Sequence, residues 1–151
     1  MTSEAESPVV ISEHYTAPPE RVFDAFLDAS IARHFLFATA AGEMMVAEID
    51  PRVGGRFTFI ERRPGGEVRH TGEYLEIDRP RRLAFTFGVP QFDPRMTIVT
   101  IEITAEDGGS ALTLTSEGVP EEYVERNREG WRRILGGLKP AYEGVHAAGW
   151  R

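Results

Sequence analysis

The stretch PEEYVERNREGWRRILGGLK, residues 120–139, reads as one long amphipathic helix. Pro120 stands where a missing N–H costs little, and Glu121 and Glu122 complement the positive end of the helix dipole. Tyr123, Asn127, Trp131, Ile134, Leu135 and Leu138 recur at spacings of three and four and share one face. Glu125, Arg126, Glu129, Arg132 and Arg133 occupy the other. Pro140, without an amide hydrogen, predicts an end or a kink near Lys139. A face that carries an indole needs a surface to bury it, and Gly130 beside Trp131 predicts a close approach to that surface.

The residues before this helix supply the surface. Arg56 to Arg62 places Phe57 and Phe59 on one side, and Leu83, Phe85 and Phe87 alternate with Ala84 and Thr86. Val99, Ile101 and Ile103 alternate with Thr100 and Glu102, then Leu112 and Leu114 follow the turn at Asp107-Gly108-Gly109. Glu67 to Asp78 is one long strand in which Val68 and Tyr74 share a phase that Leu75 and Ile77 leave, which predicts a bulge near Gly72. Val46 to Asp50 is a shorter strand ended by Pro51, with a turn at Val53-Gly54-Gly55 and a hairpin at Pro64-Gly65-Gly66. Short turns between successive strands predict an antiparallel meander.

Upstream, Val9 to Tyr15 reads as a first strand. Pro18-Pro19 stops it and opens a helix whose apolar face is Val22, Phe23, Phe26 and Leu27. Asp28 and Ser30 interrupt that helix, and a second short one runs from about Ile31 to Phe35. Phe35 to Met45 reads as an apolar loop folded over the rest. Met1 to Pro8 reads as a disordered tail, and residues 9–151 as a single α+β domain. In it a curved antiparallel sheet of six to seven strands wraps the last helix, with two short helices after the first strand.

Composition bounds the function. The chain has 151 residues, net charge −7 and no cysteine, so thiolate catalysis, disulfides and cysteine-ligated metal are excluded. No apolar run approaches the roughly 18 residues of a membrane span, the first residues lack a signal-peptide pattern, and the expected location is the cytoplasm. The acidic balance argues against nucleic acid. Arg62-Arg63, Arg81-Arg82 and Arg132-Arg133 each sit beside carboxylates and read as solvated surface rather than a phosphate stripe.

Chemistry-bearing motifs are sparse. His14, His34, His70 and His146 show no metal-ligand spacing, so neither metal nor cofactor is expected. Ser116 lies in no nucleophile elbow and reads as a polar strand exit, while Gly54-Gly55 and Gly108-Gly109 are turns without the lysine of a phosphate loop. His70 and Tyr74 share a strand face if the bulge lies beyond them, which makes them an acid–base candidate with Glu61 and Arg56 as partners. The simpler reading is a rim histidine held by hydrogen bonds and a tyrosine that packs.

Several motifs resemble one family. Pro19-Glu20-Arg21-Val22-Phe23-Asp24-Ala25-Phe26 is similar to the helix opening of the helix-grip superfamily, which includes START-like lipid-transfer domains, Bet v 1-like pollen allergens and polyketide cyclases (the SRPBCC group). Asp50-Pro51-Arg52-Val53-Gly54-Gly55-Arg56-Phe57 resembles the strand entry of proteins like the Hsp90 ATPase activator (AHSA1-type). Gly72 to Ile77 with Pro80-Arg81-Arg82-Leu83, and Gly130 to Lys139, resemble that family's next hairpin and C-terminal helix. The resemblance implies a grip-like cavity between sheet and helix and leaves the reaction open.

The function these residues favour is a non-enzymatic module that binds a small hydrophobic molecule, a lipid or an aromatic metabolite. Its expected lining is Phe26, Phe35, Phe57, Phe59, His70, Tyr74, Phe85, Phe87, Val99, Trp131 and Leu135, from the concentration of phenylalanine at inward strand positions. The alternatives are a cyclase- or hydrolase-type enzyme using His70 and Tyr74, or a partner of an Hsp90-type chaperone in a stress response. Monomer and homodimer are both compatible with the sequence.

Overall fold

A computed structural model describes residues 8–148, with side chains from Pro8 to Leu138. Seven strands form one antiparallel sheet: β1 (Val9–Tyr15), β2 (Glu43–Ile49), β3 (Arg56–Arg63), β4 (Gly66–Asp78), β5 (Arg82–Phe87), β6 (Thr97–Glu106) and β7 (Gly109–Glu117). The spatial order is β1-β7-β6-β5-β4-β3-β2, a meander from β2 to β7 with the first strand added beside the last. Two short helices, α1 (Pro19–Leu27) and α2 (Ala29–Ala32), carry the chain from one sheet edge to the other. After a 3-10 turn at Glu121–Tyr123, α3 (Val124–Ala148) closes the structure. Among the described residues no helix is long and apolar enough to cross a membrane.

The predicted alternation holds the core together. Phe57, Phe59, Tyr74, Leu83, Phe85, Val99, Ile101, Ile103, Leu112 and Leu114 are all buried on one sheet face. Trp131, Ile134, Leu135 and Leu138 of α3 are buried against it, and Val22, Phe23 and Phe26 of α1 complete the cluster. A polar tie crosses this core: the Tyr15 hydroxyl donates to the Leu135 carbonyl at 2.7 Å, joining β1 to α3.

Five expectations change, the first because of Asp28. This residue interrupts the first helix as read, α1 ending at Leu27, but its Oδ1 also accepts from the Ser30 amide at 3.0 Å and hydroxyl at 2.6 Å and so opens the next helix at once. The second helix therefore occupies Ala29–Ala32, earlier than the Ile31–Phe35 read from the sequence. β2 begins at Glu43 rather than Val46, since a register shift between Met44 and Val46 hides its first residues from any strict alternation. The irregularity in β4 lies between Tyr74 and Glu76, not at Gly72. Gly72 serves close approach instead: a methyl there would overlap the Thr86 carbonyl and the Phe57 ring. Gly130 is the opposite case, with open space where a Cβ would stand, so it does not bring helix and sheet together. Of the end or kink expected near Lys139, the end does not occur: α3 continues to Ala148, since a proline removes one intrahelical bond, not the helix. Met1 to Ser7 of the expected tail lie outside the described residues.

Candidate functional site

The sheet and α3 part at one end and leave a pocket of about 400 Å³. Val68 and His70 of β4, Phe87 of β5 and Gly88 form one wall, and Asn127, Gly130, Trp131 and Ile134 of α3 face them. The loop after β5 supplies Val89, Phe92, Asp93 and Arg95 at the mouth, where Phe92 is 69% exposed. Phe37, from the segment before β2, lies at the back.

Phe37 organises the aromatic wall. Its ring stacks on His70 and on Phe87, each at 4.8 Å between centroids and within 9° of parallel. Trp131 meets Phe37 at 5.8 Å and Phe87 at 5.7 Å edge-on. The backbone at Phe37 is left-handed, φ 62°, which a bulky residue adopts only when packing holds it there.

His70 is fixed on both ring nitrogens. Nδ1 lies 3.1 Å from the Phe59 carbonyl, an acceptor, so Nδ1 carries the hydrogen. Nε2 then accepts from Arg63 Nη2 at 3.5 Å. That is the neutral tautomer, and burial agrees with it: desolvation pulls the imidazole down to about 4, the Phe59 bond opposes this, and the Arg63 charge adds to the lowering.

Arg63 is itself aimed by a buried carboxylate. Glu61 is 1% exposed. It accepts from Arg63 Nε at 2.6 Å, from the Thr39 amide at 2.7 Å and from the Thr39 hydroxyl at 2.9 Å. Glu61 thus binds the loop of Phe37 to β3 and turns Arg63 toward His70 and the pocket. β3 places Phe57, Phe59, Glu61 and Arg63 in one phase, so strict alternation points all four inward.

Of the eleven residues expected to line a cavity, His70, Phe87 and Trp131 stand in the pocket wall. Phe26, Phe35, Phe57, Phe59, Tyr74, Phe85, Val99 and Leu135 pack in the core behind it. Tyr74 shares the His70 face of β4 but lies against Phe57 and Phe85, and burial raises its phenol above the ordinary value, with Asp50 adding to the rise. It does not line the pocket, so the two are not an acid–base pair there. Arg56 is exposed, and it is Glu61 and Arg63 that flank His70. Arg63 and Arg133 belong to the pocket lining rather than to solvated surface alone. Ser116 stands one residue before the end of β7, as read, but it is buried there, and its hydroxyl has no partner among the described residues.

A family model described as "Activator of Hsp90 ATPase homolog 1-like protein" matches residues 16–143. Among curated proteins, the activator of 90 kDa heat shock protein ATPase homolog 1 is 22% identical in mouse and 20% in human, each over 89% of this chain. The chain spans about a third of those relatives, 36% of their length. Among solved structures, a Chromobacterium violaceum protein superposes with TM-score 0.82 at 28% identity, covering 90% of this chain and 96% of that one. An AHSA1-like protein from Aeromonas hydrophila gives TM-score 0.77 at 23% identity, covering 95% and 94%, a likeness of fold.

Proposed function

This chain belongs to the Activator of Hsp90 ATPase homolog 1-like family, and we propose that it is a binding module for a small, largely apolar molecule. The observation that carries this reading is the pocket of about 400 Å³ beside Trp131, a volume in the range of small-molecule sites. Its wall of Phe37, Phe87, Val68, Trp131 and Ile134 is apolar, with a few fixed polar groups among them. His70, neutral and tied at both nitrogens, suits orienting a ligand better than moving its protons. The pocket reaches the surface beside the exposed Phe92, so a ligand enters without unfolding the core.

The test is native mass spectrometry of gently purified protein, followed by thermal shift against a library of aromatic and aliphatic compounds. A co-purifying mass, or compounds that raise the melting temperature and change the fluorescence of Trp131, is the expected result. No bound mass and no shift with any compound would remove the proposal.

The family name suggests a second reading, contact with an Hsp90-type chaperone, which rests on the match to relatives so named. Calorimetric titration of the chain into such a chaperone at tens of micromolar tests it, and a flat trace counts against it.

A further inference from the structure

We infer that the ligand of this pocket is an amphipathic acid, an apolar body with an anionic head held by Arg63 and by the arginines at the mouth. The inference rests on the pocket being a ligand site, as proposed above.

Charge is the first argument. The chain as a whole is acidic, with net charge −7, yet the pocket lining contains Arg63, Arg95, Arg126 and Arg133 against a single carboxylate, Asp93. Asp93 is already engaged by Arg95, which also reaches Glu122. Arg126 lies over the Tyr123 ring at 5.8 Å, and among the described residues neither it nor Arg133 has a carboxylate partner. An acidic protein that gathers arginines at one concavity attracts anions there.

Donor geometry is the second. A guanidinium has five N–H groups. Glu61 takes Nε of Arg63, and Nη2 leans on His70, so the remaining donors are left for the pocket. The buried Glu61 fixes the plane of the guanidinium before any ligand arrives, which lowers the entropy cost of binding an acid head. A purely apolar ligand would take water from those Arg63 donors and offer no acceptor in its place.

The experiment compares three compounds of one skeleton by calorimetry with the full chain: 2-naphthoate, 2-naphthalenemethanol and 2-naphthylmethylammonium. The acid is expected to bind at least tenfold tighter than the alcohol, with the amine weakest and the gap narrowing as salt rises. In Glu61→Gln/Arg63→Gln, which removes the paired charges together, the acid-over-alcohol ratio falls toward one. Arg126 and Arg133 are exposed, so Arg126→Gln/Arg133→Gln retains the fold and cuts the ratio severalfold. If alcohol and amine bind as tightly as the acid, the inference is overturned while the pocket stands. If none of the three binds, the pocket reading fails and this inference with it. A ratio that survives in both variants overturns the assignment to these arginines.

Discussion

The Phe37 ring lies 4.8 Å from the His70 ring with 9° between their planes, so a residue of an irregular segment packs as closely as any strand neighbour. Its positive φ implies that the ring is worth more than the backbone conformation costs. Phe37→Ala should lower stability by about 3–5 kcal/mol, since it empties a buried aromatic site and keeps the strained backbone. Phe37→Gly loses the same ring but accepts φ 62° freely, so it should be no less stable than the alanine variant, in reverse of the usual order. Urea denaturation of the pair measures this; a glycine variant clearly weaker than the alanine one would show that the backbone there is not under strain.

Glu61 and Gly42 make a second coupled pair. A methyl on Gly42 would overlap the Glu61 carboxylate, so the glycine is what lets the acid reach Thr39 and Arg63. Glu61→Ala should cost about 3 kcal/mol, the lower end for breaking a buried pair because Arg63 is partly exposed. Gly42→Ala should cost roughly 1–3 kcal/mol by forcing the carboxylate aside. In the double variant the clash and the displaced acid vanish together, so the total should fall short of the sum by more than about 1 kcal/mol. A strictly additive cycle would separate the two residues.

How much of this was legible follows from the range of the interactions. Alternation in β5, β6 and β7 is local, and it identified Phe85, Val99, Ile101 and Leu114 as inward residues without reference to any partner. The face of α3 was legible for the same reason. The pocket was not, because it depends on where elements end relative to one another: Phe35 and Phe57 are wholly core while Phe37 and Phe87 also line the pocket. Arg63 could have been found. It keeps the inward phase of Phe57, Phe59 and Glu61, but its neighbours Arg62 and Glu61 made it look like exposed charge. Phe37 had no periodic signal, since a left-handed residue in a turn belongs to neither repeat.

His70 makes stability depend on pH. Its folded value of about 4 lies below the ordinary 6.5, so the unfolded chain binds the proton first as pH falls. Stability is therefore full above about pH 6.5, declines as pH drops toward 4 and loses nothing further to this group below that. The complete loss is roughly 3 kcal/mol, the net of burial, which dominates, the Phe59 bond and Glu61, which work against it, and Arg63, which adds to it. His34 is also lowered, by burial and by Arg33, and so acts in the same direction. The difference between wild type and His70→Gln isolates the buried ring: denaturation midpoints should converge as pH falls from 7 to 4. Parallel curves for the two proteins would mean that His70 charges as easily folded as unfolded.

The two helix glycines separate occlusion of the pocket from stability of the fold. Gly130 and Gly136 both lie within α3, and neither has any atom within 4 Å of where a Cβ would stand. Each therefore gives away helix propensity, about 0.8–1 kcal/mol relative to alanine. Only Gly130 lines the pocket. Gly130→Leu and Gly136→Leu should both raise the melting temperature, because leucine is nearly as good a helix former as alanine and neither site is crowded. Their binding should differ: the Gly130 side chain grows into the space beside Trp131 and should weaken ligand at least tenfold, whereas the Gly136 variant binds as wild type does. If both variants bind alike, the ligand does not sit against the Gly130 turn of α3. If Gly130→Leu destabilises the protein, the space beside Trp131 is narrower in solution than 400 Å³ allows.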